Sequence, residues 1–366
     1  MLVAPLNWGM GHATRLVPVL HQGHKLGFGI YVLGGLPLTG FLQDVCPYVQ
    51  IIDDGFAPIK WKMKRNHFID YPLLAMSMMI RSLREHRMVM RLNRKYQFNL
   101  ILSDNRYGVY SNKAPSILMT HQFQLMLPFG WKWMEPVVNK LLRVRYRKFD
   151  EIWIPDSVEQ SLAGQLSLSG MNHMNTRFIG PLSRYMLVDE QPFPAHFDVL
   201  VLLSGPEPTR TQWRLELEKL FMHSTYRVCF AENTKGGKRT FVTGRSFQYL
   251  YNGTGGELKG LIKNSPLVIS RAGYSSVMDF AMLGKPALLV PTPGQTEQLY
   301  LASWLAKHPL FTLVASADLT LATVKNAINR HLVPPTIDSG NKWKELLERE
   351  RKKHDGEAHQ PTGSNL

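Results

Sequence analysis

Residues 267–302 carry the densest run of side chains suited to chemistry. Leu267–Ser270 reads as a short apolar strand, Ala272-Gly273 as a tight turn, and Ser275 and Ser276 as side chains fit for a helix N-cap. Val277, Phe280, Ala281 and Leu283 recur at helical spacing, and Gly284 and Pro286 stop the helix. A helix that starts at a tight turn offers free N–H groups and the positive end of its dipole, which suits a phosphate. Asp279 lies one turn after Ser275 on the same face, where its carboxylate could accept both hydroxyls of a ribose. An ordinary capped turn between strand and helix would use the same residues without a ligand.

A second candidate lies near the start of the chain. The strand Leu2–Leu6 leads into Asn7-Trp8-Gly9-Met10-Gly11-His12, and a helix is predicted over Ala13–Leu20. Glycines let backbone approach a ligand closely, and open parallel sheets take their ligands at such loops. His12 suits a general base, the alternative being a histidine satisfied within its loop. Asn105 follows the strand Leu100–Ser103, and His121-Gln122 follows the strand Ser116–Thr120. Both groups fall on the strand-end rim where His12 should lie.

The elements that must position these residues are strand–helix–strand units, which imply parallel pairing in an α/β protein. Taken whole, Ser270-Arg271-Ala272-Gly273, Asp279, Leu283-Gly284-Lys285-Pro286, Pro291 and Gln295/Glu297/Gln298 resemble the donor-nucleotide motif of glycosyltransferase family 28. Asp279 stands where that family usually has Glu. Gly9-x-Gly11-His12 is similar to the Gly-x-Gly-Gly-His loop that opens family members, with Met10 in place of the first glycine of the pair. His12 and Arg15 also fit Gly-His-x-x-Arg loops of related nucleotide-sugar enzymes. Ser204-Gly205-Pro206-Glu207-Pro208-Thr209-Arg210 stands where the family has Gly-Gly-Ser-x-Gly over the donor diphosphate, with Pro206 and Pro208 at flexible positions. His121-Gln122 resembles the segment that lines the family's acceptor cleft.

The resemblance implies two doubly wound Rossmann-like domains facing a cleft, the GT-B arrangement. It implies inverting transfer of a sugar, from a UDP-sugar or other nucleotide sugar, to an acceptor hydroxyl such as that of a lipid-linked glycan. The donor side would comprise Gly11, Ser204, Gly205, Arg210, Gly273, Tyr274, Ser275, Ser276 and Asp279, with Gln295, Glu297 and Gln298. The acceptor side would comprise Arg15, Asn105, His121 and Gln122, with His12 as base. No Asp-x-Asp triplet occurs, so no obligatory divalent metal is expected, and no cofactor beyond the nucleotide sugar as co-substrate. A nucleotide-sugar hydrolase or a UDP-sugar 2-epimerase would use the same fold.

Domain boundaries follow from composition. Gly180-Pro181-Leu182-Ser183-Arg184 reads as a hinge that closes an acceptor-binding domain over 1–183. Residues 184–197, with Pro192 and Pro194, form the linker. A nucleotide-sugar domain spans 198–335, and 336–366 hold a charged helix and a polar tail expected to be disordered from His354. Gly34, Gly35, Pro37 and Gly40 read as a turn.

Net charge of +15 calls for an acidic partner: nucleic acid, anionic lipid or a phosphorylated substrate. Recognised nucleic-acid motifs are absent, which argues against the first. Two isolated cysteines, Cys46 and Cys229, form neither a zinc site nor a disulfide scaffold, so a reducing cytosol is the default. Met1 runs straight into a strand, so no signal peptide is expected, and no apolar run reaches the ~18 residues of a spanning helix. Between Lys60 and Lys95 ten basic residues, among them Lys62, Lys64 and Arg65, meet only Asp70 and Glu85 and flank the apolar Pro72–Ile80. That composition fits an amphipathic helix lying on an anionic membrane, or a core helix with a solvated basic end. The first option would make the protein peripheral on the inner face of the cytoplasmic membrane. The apolar, aromatic segment Met126–Met134 is open to the same two readings.

Overall fold

The computed structural model describes residues 1–56, 67–127, 129–173, 175–233, 238–244, 246–330 and 342–358. The chain divides into two units at Pro181/Leu182, with residues 162–164 in the second and the last helix in the first.

The first unit is a seven-stranded, wholly parallel sheet. It is built from β1 (Leu2–Pro5), β2 (Tyr31–Leu33), β3 (Gln50–Ile52), β4 (Ile101–Asp104), β5 (Ser116–Met119), β6 (Glu151–Ile154) and β7 (Thr176–Phe178), in the order β3-β2-β1-β4-β5-β6-β7. Strands β1, β4 and β5 are buried at every residue, which is why they read as apolar runs without alternation. Helices α1 (Met10–Lys25), α2 (Leu38–Val45), α3 (His67–Tyr96), α4 (Glu135–Tyr146) and α5 (Gln165–Leu168) join them. Strand order reverses between β1 and β4. These two strands end level, Pro5 opposite Asp104, which creates the crevice where parallel sheets bind ligands.

Helix α1 starts three residues earlier than its periodicity predicts. Gly9 takes φ 132°, a backbone conformation open to glycine alone, and delivers Met10 directly into the helix. The turn expected at residues 34–40 instead runs into α2 from Leu38, whose Leu38, Thr39 and Leu42 are buried. The basic stretch is α3. Its inner face buries Ser82, Glu85, Val89 and Asn93, while Met76, Met79, Ile80 and Leu83 are exposed. Lys60, Lys62, Lys64 and Arg65 and the side chains of Asp70 to Leu74 lie outside the described residues.

The second unit holds β8 (Val199–Leu203), β9 (Val228–Glu232), β10 (Thr240–Thr243), β11 (Gln248–Tyr251), β12 (Leu267–Arg271), β13 (Ala287–Val290) and β14 (Phe311–Leu313). Their order is β10-β11-β9-β8-β12-β13-β14, parallel except for the edge pair β10–β11. Helices α6 (Thr209–Phe221), α7 (Gly255–Asn264), α8 (Tyr274–Met282), α9 (Thr296–Leu305) and α10 (Leu321–Asn329) connect and cover it. Here the order reverses between β8 and β12, so the loops after these two strands flank the second crevice. A core of Val199, Val201, Trp213, Phe221, Phe230, Ile269 and Leu288 underlies them.

Residues Arg184–Leu187 form a 3-10 turn that packs on α7 and α8. Lys259 fixes it, donating Nζ to the carbonyls of Tyr185 and Val188 at 3.0 and 2.6 Å. The start of the expected linker is therefore an integral part of the second unit. The last helix, α11 (Lys342–Ala358), returns to the first unit and packs on α1 with Trp343 and Leu347 buried. It continues past His354 to Ala358, beyond the expected start of the tail.

Candidate functional site

Each crevice gathers a set of polar residues. In the first unit, α1 and β4 meet at the reversal point. His12 occupies the first turn of α1, and Arg15 follows three residues later on the same helical face. Asp104, the last residue of β4, is fully buried between them. Its Oδ2 lies 3.0 Å from His12 Nδ1 and accepts from Arg15 Nε at 3.0 Å, while Oδ1 accepts from Arg15 Nη2. Arg15 Nη1 is 3.1 Å from His121 Nδ1. The structure thus brings His12, Arg15 and His121 together and adds Asp104, which sequence reasoning passed over in favour of its neighbour Asn105. A carboxylate at the last position of a central strand was the available signal.

Electrostatics fix the roles. Burial alone would raise the Asp104 carboxyl, yet Arg15 and His12 together hold it down at about 2, so it is a carboxylate at every working pH. Both Asp104 Oδ2 and Arg15 Nη2 sit 3.0 Å from His12 Nδ1. An unprotonated Nδ1 would aim its lone pair at a buried anion, so the proton belongs on Nδ1 and is donated to Asp104. That leaves Nε2 as the basic atom. The His12 side chain is 17% exposed, whereas Asp104 is sealed off.

Arg15, expected on the acceptor side, is 2% exposed, donates to both oxygens of Asp104 and stands 3.1 Å from His121 Nδ1; it neutralises the carboxylate and does not reach outward. Asn105 adopts φ 55° just after the strand, donates its N–H to the Met119 carbonyl, and leaves its buried Oδ1 without a hydrogen-bond donor. Gln122 is held by backbone: its N–H donates to Thr120 Oγ1 and its carbonyl accepts from Tyr146. The loop beyond Asp104 is pinned by Arg106, fully buried between Asp54 at 2.9 Å and Glu85 at 3.0 Å and donating to the Leu33 carbonyl. Gly11 lies within the first turn of α1.

In the second unit, the N-cap of α8 is Gly273, and no side chain caps the helix. Ser275 and Ser276, expected as caps, sit inside the first turn, half-buried. Space above Gly273 is open: a Cβ placed there would meet nothing within 4 Å. A helix start of this kind suits an anion. Tyr274, expected as a ligand contact, is 3% exposed and part of the core. Arg271 is likewise structural. It stacks 4.1 Å over Trp213 and donates to the Pro291 carbonyl and Ser316 Oγ, and burial pulls it down to about 10.

Asp279 sits one turn further down α8. Its Oδ1 accepts from Ser183 Oγ at 2.5 Å, and its Oδ2 stands 3.9 Å from Arg184 Nε. Burial pushes its carboxyl up to about 6, with Arg184 and Ser183 opposing the rise. On the opposite lip of the crevice, Ser204 is exposed and Gly205 takes φ 104°. Arg210, expected on phosphate, is already paired with Glu207 at 2.6 Å and Glu232 at 3.5 Å, and donates to the Asn233 carbonyl. Gln298 accepts from the Thr292 N–H at 2.8 Å and donates to Gln295 at 2.6 Å, so this pair stitches its own loop; Glu297 stands in the first turn of α9. Among the described residues no cluster of three or more His, Cys, Asp or Glu could hold a metal ion.

Comparison with known proteins agrees with this picture. Residues 255–353 match the glycosyltransferase family 28 C-terminal domain. The UDP-N-acetylglucosamine--N-acetylmuramyl-(pentapeptide) pyrophosphoryl-undecaprenol N-acetylglucosamine transferases of Methylorubrum extorquens (strain PA1) and Methylorubrum populi are 37% identical over 129 residues and 29% over 128. Each match covers 31% of this chain and 34% of the relative, so the chain spans about a third of the length of these curated relatives. Among solved structures, the calicheamicin glycosyltransferase CalG4 superposes with TM-score 0.61 at 13% identity, covering 98% of this chain and 96% of that one. MurG of Acinetobacter baumannii gives 0.54 at 11%, covering 96% and 99%. The fold is that of GT-B glycosyltransferases, and the resemblance to family 28 stands.

Proposed function

We propose that this family-28-like chain transfers a sugar from a nucleotide sugar, in the first place a UDP-sugar, to an acceptor hydroxyl. The match across 255–353 carries the proposal, because that stretch contains the start of α8 and Asp279. The α8 N–H groups and Ser275 and Ser276 would hold the diphosphate, and Asp279 the ribose. His12 would act in the first unit. Its Nε2 takes the proton of the acceptor hydroxyl as that oxygen attacks the anomeric carbon. The bond from that carbon to the diphosphate breaks, its electron pair leaves with the nucleotide, and the anomeric centre inverts. Asp104 stabilises the imidazolium that forms, and the helix start stabilises the leaving diphosphate. The missing Asp-x-Asp triplet supports turnover without an obligatory divalent metal.

A lipid-linked acceptor at an anionic membrane fits the first unit. The names of the curated relatives pair UDP-N-acetylglucosamine with a pyrophosphoryl-undecaprenol acceptor. Exposed apolar residues line α3 at Met76, Met79, Ile80 and Leu83, followed by exposed Arg84, Arg87 and Arg91. A second stripe, Trp133 in the 3-10 segment before α4 and Val137, Leu141 and Val144 along α4, is 50 to 71% exposed and flanked by Lys140 and Arg143. Apolar stripes edged with cations suit the surface of an anionic bilayer. No helix among the described residues is long and apolar enough to cross one.

The test is a thermal-shift screen of UDP-, GDP- and dTDP-sugars, where a ligand at a hundred times its Kd adds about 2.7 kcal/mol. Nucleotide release that depends on an added hydroxyl acceptor identifies transfer. Release at the same rate without acceptor would mean that water takes its place, and no shift with any donor would end the proposal.

A further inference from the structure

One buried guanidinium ties down the loop that carries Asp104. Arg106 is 1% exposed and reaches three elements of the first unit. Its Nη1 donates to the Leu33 carbonyl at the end of β2 at 2.8 Å, and its Nε donates to Glu85 Oε1 on α3 at 3.0 Å. Its Nη2 stands 2.9 Å from Asp54 Oδ2, in the loop after β3. Arg81 completes the cluster, 3.1 Å from Glu85 and 3.9 Å from Asp54, so two guanidinium groups face two carboxylates. The backbone is held as well. Ser103 Oγ donates to the Arg106 carbonyl at 2.6 Å, and Gly108 lies so close to α3 that a Cβ there would run into the Ser82 carbonyl. Between Asp104 and Arg106, Asn105 takes φ 55°, a left-handed conformation that Asn enters more readily than most residues but that still needs support from its surroundings.

Buried ion pairs add little net stability, since desolvation offsets their attraction, and an apolar set of the same volume would do as well. What a rigid fork adds is position. Asp104 lies two residues before Arg106, and its Oδ2 must stand 3.0 Å from His12 Nδ1 to keep the proton there. We infer that Arg106 is a positioning residue for the His12–Asp104 pair: its fork, held by Glu85, Asp54 and the Leu33 carbonyl, fixes the end of β4 and with it the tautomer of His12. It acts through the backbone of Asn105 and the carboxylate of Asp104. A lysine in its place keeps the charge but not the planar fork, so Asn105 is free to relax and Asp104 to move away from Nδ1. The consequence for sugar transfer rests on the reading proposed above; the consequence for the tautomer does not.

The experiment records long-range proton–nitrogen correlation spectra of the full chain carrying isotope-labelled histidine, at alkaline pH, as wild type, Arg106→Lys, Glu85→Gln and Val89→Ala. The His12 ring signals are identified by their loss in His12→Ala. Wild type should show the proton on Nδ1. Arg106→Lys should show the two His12 tautomers mixed. Its turnover of UDP-sugar should fall about tenfold to hundredfold, the scale of a misplacement of about 1 Å, with UDP affinity within about threefold of wild type. Glu85→Gln weakens one anchor of the fork and should move His12 the same way by less, which keeps the test open if Arg106→Lys fails to fold. Val89→Ala, one turn further along α3 and buried in the core, should lower the melting temperature yet leave the tautomer as in wild type. Added to Asp104→Asn, Arg106→Lys should cost turnover nothing further, because both act through one carboxylate. Unchanged His12 signals in folded Arg106→Lys and Glu85→Gln proteins, or equal mixing in Val89→Ala, would overturn the inference. A tautomer shift in a protein that turns over no nucleotide sugar would uphold the role of Arg106 and reject the transfer reading instead.

Discussion

Replacing Asp104 by Asn removes one charge from the first crevice and leaves the shape nearly unchanged. Three effects follow from the geometry. Arg15, 2% exposed, loses its buried counter-ion, and breaking such a pair costs about 3–5 kcal/mol. His12 Nδ1 no longer faces an anion, so the tautomer with its proton on Nε2 becomes competitive and the basic atom turns inward, toward Arg15 Nη2 at 3.0 Å. The imidazolium formed during proton transfer also loses its stabilising carboxylate. Turnover should fall by ~10²–10⁴-fold, the span of a positioned general base. Donor affinity should stay within a few-fold, because the donor motif lies in the other unit. The pH dependence of stability gives a separate check. Asp104 drops from an ordinary 3.8 to about 2, worth about 2 kcal/mol. A depressed carboxyl stabilises the fold above its unfolded value, and this contribution is lost as pH falls from about 4 through 2. Wild type should therefore lose stability steeply across that window, and Asp104→Asn should lose less. The assay pairs initial rates with UDP titration and with melting curves from pH 2 to 7. A folded Asp104→Asn protein with turnover within threefold of wild type would refute the claim that Asp104 holds His12 in its working tautomer.

The remaining predictions address other groups. His12→Ala should lower turnover by ~10²–10⁴-fold with UDP affinity intact; loss of nucleotide binding in proportion to turnover would make His12 a donor ligand or a structural residue. Asp279, raised from 3.8 to about 6, favours the fold below pH 4, and that benefit disappears as pH rises through 6, so Asp279→Asn should melt higher than wild type at pH 7.5 and level with it at pH 4. Equal melting at both values would mean that the buried carboxylate is adequately solvated. Turnover should survive EDTA, and its full loss with recovery on adding Mn²⁺ or Mg²⁺ would contradict metal independence. Vesicles rich in anionic lipid should pellet the protein at low salt, and the double substitution Trp133→Ala with Leu141→Glu should abolish this; equal pelleting with neutral vesicles would leave the α3 and α4 stripes unexplained by membrane charge.

What could be read from sequence was what depends on neighbours in the chain. Strand Ala287–Val290 has the bounds its composition predicts, because internal strands of parallel sheets are uninterrupted apolar runs between turn residues. The α8 turn and the Gly9–His12 loop were legible for the same reason. Helix bounds were less so. A glycine at φ 132° starts α1 early, and Gly273 displaces Ser275 and Ser276 as the cap of α8, since capping depends on the dihedral of one residue and not on which hydroxyls are near.

Pairings across long separations were not legible, and these decide what each candidate residue does. Arg15 and Asp104 are 89 positions apart, and Ser183 and Asp279 are 96 apart. Only the order of strands brings them together: β4 must lie beside β1 for Asp104 to reach α1, and the turn at Arg184 must fold onto α8 for Ser183 to reach Asp279. Residue type alone marked Arg15 and Arg210 as available cations, and Arg271 stands in the motif beside them. Each is instead saturated, by Asp104, by Glu207 with Glu232, and by Trp213 with carbonyl oxygens. A buried guanidinium without partners would cost more than the fold can sustain, so the cations nearest a crevice are the ones the core is most apt to claim.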